Sequence, residues 1–298
     1  MSGPRIVGPE AEGSLDWIAL TDALAAGHDR PRAEIGDTFL YRDPDTMLSR
    51  AAWIDGLGSL VKTATIFPGN RDAPPINGAA SLFSDEDGRL AAMIDFHLLT
   101  KWKTAGDSLL AARRLAPPKV ERILIVGAGT VAASLHQSYG AAFPGAAFAV
   151  WSRSGTSAAR FAEVRGIAHA LDLATAVPEA DVVTCATMAT EPVLRGEWLR
   201  PGQHVDLIGA YRPDMREADD DALRRARLFV DSRDTTLDHI GELRIPLADG
   251  VIQRSDVVAD FYELDRFVRA PGDITLFKNG GGAHLDLMTA RHILDRTA

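Results

Sequence analysis

The run Arg122-Ile-Leu-Ile-Val-Gly-Ala-Gly-Thr-Val-Ala132 constrains what this chain can fold into more than any other stretch. An apolar strand leads into a glycine-punctuated turn, and the turn leads into a helix. Gly127 permits the tight turn. Gly129 lets backbone amides approach a pyrophosphate with no Cβ in the way, and Ala132 still lets the helix pack closely on the strand. The pyrophosphate is expected on the helix N-terminus, where unpaired N–H groups and the helix dipole favour an anion. Gly127, Ala128, Gly129, Thr130 and Val131 are therefore the first candidate dinucleotide contacts.

The rest of the chain divides around this motif. From Arg122 onward, apolar runs at Ile123–Val126, Ala147–Trp151, Val182–Ala186, Val205–Ile208 and Leu228–Val230 alternate with helical stretches. That alternation predicts a parallel sheet with helices on both faces. The first hundred or so residues read differently. A helix is expected from Ser14 to about Ala26, ended by Gly27. Strand-like runs follow between Ala51 and Thr65, broken at Gly56 and Gly58. A hairpin is expected across Ala79–Phe83 and Arg89–Ile94, with Asp87-Gly88 in its turn. Residues 95 to 116 read as one long helix stopped by Pro117-Pro118. The stretch from Gly280 to Leu294 is a glycine turn entering an amphipathic helix.

Composition excludes several classes. The net charge of -9 leaves no global basic footprint for nucleic acid, and small anionic substrates need a local cationic pocket. No apolar run is long enough to span a bilayer, and the N-terminus lacks a signal pattern. The single cysteine, Cys185, lies in an apolar strand run and reads as a buried thiol. These features predict a cytoplasmic protein with no membrane partner. The eight histidines show no metal-ligand spacing, so no metal is expected.

The second strand of the parallel sheet bears on the coenzyme. An acid at its end accepts hydrogen bonds from a ribose 2′-hydroxyl when the coenzyme is NAD. Here the strand ends Val150-Trp151-Ser152-Arg153-Ser154-Gly155-Thr156, with no acid. Arg153 and the hydroxyls of Ser152, Ser154 and Thr156 suit a 2′-phosphate. NADP(H) is therefore favoured over NAD(H), which stays possible.

Taken in order, several segments resemble the ornithine cyclodeaminase / mu-crystallin family. They are Val61-Lys62-Thr63, Leu99-Thr-Lys-Trp-Lys-Thr-Ala105 with Ser108, Gly127-Ala-Gly129, and Ala186-Thr187 with Glu191-Pro-Val-Leu194. Gly209-Ala-Tyr-Arg-Pro-Asp-Met-Arg-Glu217, Val230-Asp231, Gly241-Glu242 and Ile274-Thr-Leu-Phe-Lys-Asn-Gly280 complete the set. The resemblance implies an α/β fold: a Rossmann-type doubly wound parallel sheet (117–282) plus an α+β substrate and dimerisation domain. The latter is built from 1–116 with the C-terminal helix, 283–298. It implies a homodimer, with the active site in the cleft between the domains. It also implies chemistry on the C–N bond of a small amino or imino acid with a nicotinamide coenzyme.

Residue by residue, Lys62 falls on the family's substrate-contacting lysine, and burial beside other cations, which lowers a lysine's pKa toward a useful range, makes it the leading proton donor. Lys103 falls where many members have an arginine that grips the substrate carboxylate. Lysine keeps the charge and loses the bidentate fork. Arg32 matches the early substrate arginine. Arg50 is an added cation where many members carry Met-Pro-Ala. Tyr211 stands where the ornithine-cyclising branch has an aspartate, which favours a ketimine reductase of the mu-crystallin type. Ornithine cyclodeamination to proline and ammonia is one alternative, and a non-enzymatic binder of NADPH and a small aromatic acid is another. Thr187, Gly209, Lys278, Gly280 and Gly281 are implied to line the coenzyme site. Asp214 is expected to point elsewhere, and Asp219-Asp-Asp221 to sit solvated at a helix start.

Overall fold

Strands and helices alternate unevenly along the chain, and the computed structural model describes residues 3–297. In chain order the elements of the first part are β1 (Arg5–Val7), α1 (Trp17–His28), β2 (Glu34–Arg42), β3 (Asp45–Ile54), β4 (Gly58–Ile66), β5 (Ile76–Phe83), β6 (Leu90–Asp95) and α2 (Phe96–Leu115). Then come β7 (Arg122–Val126), α3 (Thr130–Ala142), β8 (Ala147–Trp151), α4 (Gly155–Arg165), β9 (Ala168–His169), α5 (Leu173–Glu179), β10 (Val182–Cys185) and β11 (His204–Leu207). The chain finishes with α6 (Asp220–Arg225), β12 (Arg227–Val230), α7 (Arg233–Thr236), α8 (Gly241–Ala248), β13 (Val257–Ala259), β14 (Thr275–Lys278) and α9 (Ala283–Arg296).

Two compact units result: residues 1–103 with 282–298, and residues 104–281. The boundary falls inside α2, and this corrects the division expected at its proline end. The second half of that helix is bonded to the parallel sheet: the Arg269 guanidinium and the Thr275 hydroxyl both donate to the Leu115 carbonyl. The Asn279 amide donates to the Thr104 carbonyl and to the Ser108 hydroxyl.

The first unit carries a six-stranded sheet in the order β1-β6-β5-β4-β3-β2, antiparallel except for β1 on β6. Strand periodicity sorts its faces. Leu60, Lys62 and Ala64 on β4 point to one face with Ala52, Ile54, Ala80 and Leu82, and this face is buried. Helix α9 packs over it, and α1 packs on α9. Asp16 caps α1 by accepting from the Ala19 amide at 2.8 Å. Gly27 does not end α1, contrary to expectation. It lies one residue before the helix end, and a Cβ there would stand 2.5 Å from the Met288 sulfur on α9. Gly56 and Gly58 do break β3 from β4, with φ of +76° and +112°.

The second unit is an eight-stranded parallel sheet in the order β13-β12-β14-β11-β10-β7-β8-β9. Its strands are apolar on both faces. Leu124, Val126, Val183, Cys185, Val205 and Leu207 fill one side of the sheet. Ile125 and Val150 pack with Ala132, Ala158 and Phe161 on the other. The chain reverses direction at β7, with β8 on one side and β10 on the other. That reversal is the switch point at which open parallel sheets leave a crevice. No helix among the described residues is long and apolar enough to cross a membrane.

Candidate active site

In the first unit, β4 places Lys62 on the buried sheet face, and α9 places Asp286 above it. The Lys62 Nζ donates to Asp286 Oδ1 at 2.8 Å, with both side chains buried. The Phe96 ring lies 5.0 Å from the same ammonium. Burial pulls the Lys62 pKa down, Asp286 pulls it up, and Lys103 and Arg50 lower it again.

Lys103, on α2, is 93% buried by the complement of its 7% exposure. It has no hydrogen-bond or ion-pair acceptor among the described residues. Arg50 lies opposite Lys62 in the β3–β4 register and pairs with Asp37 at 2.9 Å. Arg32 is exposed in the loop before β2. His284, next to Asp286 in its turn of helix, is fully buried, and its pKa is held well below the ordinary value. Burial is the main cause, followed by His28, Lys103, Arg50 and Arg32. The sheet face under α9 is therefore a cation-rich patch around one buried carboxylate.

In the second unit, Gly127 has φ of +120°, and a Cβ there would meet the Ala186 carbonyl oxygen at 2.5 Å. Gly129, the N-cap of α3, has no such neighbour within 4 Å and no side chain caps its helix. The first bond of α3 is from the Ala133 amide to the Gly129 carbonyl. The amides of Thr130, Val131 and Ala132 thus precede the helical ladder, as an anion site on a helix start requires. This mouth fits a pyrophosphate.

At the end of β8, Ser152 donates to the Ser154 carbonyl at 2.7 Å, and Ser154 caps α4 by accepting from the Ser157 amide. Arg153 and Thr156 are exposed.

Two buried carboxylates organise the remaining strand ends. Glu217 Oε1 accepts from the Thr187 amide at 2.7 Å and the Thr187 hydroxyl at 2.8 Å. Its Oε2 accepts from the Gly209 amide at 2.6 Å. Burial pushes its carboxyl up to about 8, against the pull of Lys278. Glu242 holds the Glu217 and Ala218 amides in turn, at 2.7 Å and 3.0 Å. Asp231 accepts from the Gly280 amide at 2.9 Å and from the Gly281 amide, fixing the turn after β14.

Lys278 departs from its expected place at the coenzyme. It is fully buried, and its ammonium donates to the Leu207 carbonyl at 2.9 Å and the Asn279 carbonyl at 2.6 Å. It balances the Glu217 and Glu242 charges in the interior. Tyr211 is exposed on the loop after β11, and Asp214 is held by Arg212 through two bonds of 2.9 Å. Asp219 caps α6. Among the described residues no group of three or more His, Cys, Asp or Glu is arranged to hold a metal ion.

Lys62, Lys103 and Arg50 come together on one face. Gly127 to Val131 come together at the α3 mouth, and Thr187 with Gly209 meet at Glu217. Sequence reasoning gave no role to Asp286, Glu217 or Asp231. For Asp286 a signal existed, since an acid stands inside the otherwise apolar run Leu285–Met288. Glu217 and Asp231 were visible only as family residues.

Known proteins match the chain throughout. The model of the ornithine cyclodeaminase/mu-crystallin family fits residues 56–298. Delta(1)-pyrroline-2-carboxylate reductase of Paracoccus denitrificans (strain Pd 1222) is 51% identical over 296 residues, covering 95% of this chain and 94% of the relative. Ketimine reductase mu-crystallin of Mus musculus is 34% identical over 241 residues, covering 78% and 74%. The fold matches the crystal structure of the iminosuccinate reductase of Paracoccus denitrificans in complex with NAD+, with a TM-score of 0.90 at 21% identity, over 99% and 97% of the two chains.

Proposed function

The chain belongs to the ornithine cyclodeaminase/mu-crystallin family, and on that premise we propose that it is a nicotinamide-dependent reductase of small cyclic imino acids of the Δ1-pyrroline-2-carboxylate class. The observation that carries this reading is Lys103, a mostly buried side chain whose ammonium has no hydrogen-bond or ion-pair acceptor among the described residues, beside the Lys62–Asp286 pair. A cation with no protein anion is open to one from a ligand, and a substrate carboxylate supplies that partner.

In this reading Lys103 binds the carboxylate, with Arg50 and Arg32 raising the local positive potential. Lys62 holds the proton at the imine nitrogen, and Asp286 keeps its ammonium oriented. The reduced nicotinamide supplies the hydride when bound. Reduction adds that hydride to the imine carbon and leaves the proton on nitrogen, which gives the cyclic amino acid. Gly127 to Val131 bind the pyrophosphate, and Thr187, Gly209, Gly280 and Gly281 form the strand-end surface for the rest of the coenzyme. NADP(H) is the preferred form, through Arg153 with the hydroxyls of Ser152 and Ser154; NAD(H) is accepted less well. The local bonds of those serines leave Arg153 as the main discriminator.

Cyclodeamination is disfavoured by the loop after β11. It presents Tyr211, and its carboxylate, Asp214, is tied to Arg212. A homodimer is supported by the sheet face turned away from α9, where Leu40, Met47, Trp53, Val61 and Met93 are exposed. A buried thiol at Cys185 suits a reducing, cytoplasmic setting.

The test is coenzyme oxidation followed by absorbance, with Δ1-pyrroline-2-carboxylate as substrate. Turnover that yields proline is expected. Saturable binding without oxidation would show a binding protein instead, and ammonia release from ornithine would show a cyclodeaminase.

A further inference from the structure

The loops after β10 and β11 lie closer together than two ordinary loops. A Cβ on Gly209 would stand 1.9 Å from the Thr187 carbonyl oxygen and 2.4 Å from its amide nitrogen. The last ladder bond between the two segments runs from the Ile208 amide to the Cys185 carbonyl at 2.8 Å, one residue before Gly209. One carboxylate joins them. Glu217 takes the Thr187 amide and hydroxyl on one oxygen and the Gly209 amide on the other, with the Ala210 amide at 3.4 Å.

Glu217 is itself fixed from behind, because Glu242 accepts from its amide and from that of Ala218. Lys278, anchored on two carbonyls, supplies the balancing charge. The side chain is fully buried and touches no open surface. A carboxylate this deep is not there for solubility. Its bonds go to the two segments that follow the central strands, where an open parallel sheet receives its ligand.

We propose that Glu217 is a positioning residue that sets the spacing of the Thr187 and Gly209 loops and so the affinity for the coenzyme. It acts through backbone atoms and touches no reacting group. This rests on the reading of the chain as a nicotinamide enzyme. Replacing one acceptor oxygen by an amide N–H turns a hydrogen bond into a clash of donors, and the loops part. Coenzyme affinity falls, while the substrate patch on the other unit is untouched.

The experiment measures KM for coenzyme, KM for the imino acid and kcat in wild type, Glu217→Gln, Thr187→Val and Gly209→Ala. Calorimetric binding of NADPH and NADH and thermal melting accompany it. Above about pH 8, where the carboxyl is ionised, Glu217→Gln is expected to raise the coenzyme KM about tenfold or more, the size of one hydrogen bond to a charged group. The imino-acid KM and kcat at saturating coenzyme stay within about threefold. Thr187→Val should do the same more weakly, and Gly209→Ala, whose Cβ would stand 1.9 Å from a backbone oxygen, should lower Tm as well.

If Glu217→Gln does not fold, Thr187→Val decides. A coenzyme KM unchanged in folded variants overturns the proposal, as does a rise confined to the imino-acid KM. If wild type binds neither coenzyme, the functional reading fails and the proposal fails with it. If wild type binds and the variants bind equally well, the proposal alone fails.

Discussion

The Lys62 ammonium and the Asp286 carboxylate meet at 2.8 Å under α9, both buried, across 224 residues of sequence. The pair joins the fourth strand of the first unit to its last helix. Without Asp286 the lysine would be a desolvated cation among other cations, and burial with Lys103 and Arg50 would drive its proton off. With it, the proton stays and its direction is fixed.

Replacing Asp286 therefore acts on both stability and pH dependence. Asp286→Asn leaves Lys62 buried without its anion, and breaking such a pair costs about 3–5 kcal/mol. The Lys62 pKa drops further, so the alkaline limb of kcat/KM moves to lower pH. Lys62→Met abolishes that limb and lowers kcat by about 10²-fold or more, the usual worth of a general acid. Thermal melting and pH–rate profiles of the two variants check this. An unchanged limb in Asp286→Asn would place the proton donor elsewhere.

Lys103 should separate function from stability. Its side chain is mostly buried and its ammonium has no acceptor among the described residues, so Lys103→Met breaks no bond of the fold and leaves Tm at or above that of wild type. The same change removes the carboxylate partner and raises the imino-acid KM by about 10- to 100-fold. Lys103→Arg restores much of the affinity. A lowered Tm in Lys103→Met would mean that the lysine serves the fold.

The two turn glycines should fail in different ways. Gly127→Ala puts a Cβ 2.5 Å from the Ala186 carbonyl at φ of +120°, so it destabilises the fold itself, by about 1–3 kcal/mol or more. Gly129→Ala meets nothing within 4 Å, at φ of −95° that any residue adopts. It should melt like wild type and bind coenzyme more weakly, because its Cβ stands in the pyrophosphate's path. Melting and calorimetry distinguish the cases.

Much of this architecture is legible in the sequence. Glycine-turn chemistry located β7 and α3, and hydrophobic runs located β8, β10, β11 and β12. These signals are local: a strand buried on both faces must be apolar, and a pyrophosphate turn must contain glycine. Strand β2 escaped notice because Glu34–Arg42 is exposed throughout and carries no alternating burial pattern. Strand β14 was not among the expected strands, because it is short and ends in a lysine; the hydrogen bonds of Lys278, and of Asn279 just after it, to carbonyls and to α2 make both interior. The site divides in the same way. The lysines could be placed by resemblance, whereas Asp286 and Glu217 take their meaning from partners far away in sequence. Gly27 looked like a helix terminator and is instead a contact for Met288, which no local signal reveals.

Arg153 gives a direct test of coenzyme choice. It is exposed after β8, in a segment from Trp151 to Thr156 without an acid. Arg153→Ala should raise the NADPH KM by about 10-fold or more and leave the NADH KM within about 2-fold, since only the 2′-phosphate meets the guanidinium. Arg153→Asp should reverse the preference. Equal effects on both coenzymes would show that the side chain does not read the 2′ position.

The buried acids of the second unit set a pH dependence of stability. Burial raises Glu217 to about 8 from 4.5, and Asp206 to about 6 from 3.8. The folded state then binds more protons than the unfolded chain between these values, so stability falls as pH rises through the window from about 4 to 8. Buried His204, lowered to about 3 from 6.5, acts in the opposite sense: its contribution is complete above 6.5 and is lost as pH falls toward 3. Thermal melting from about pH 7.5 upward isolates Glu217, because the lowered histidines, with ordinary values of 6.5, have finished titrating in the unfolded chain by then. Wild type should lose stability up to about pH 8, and Glu217→Gln, which cannot ionise, should flatten that decline. A wild-type Tm that rises over this interval would mean that Glu217 is already ionised in the folded protein, held by its three donors from Thr187 and Gly209.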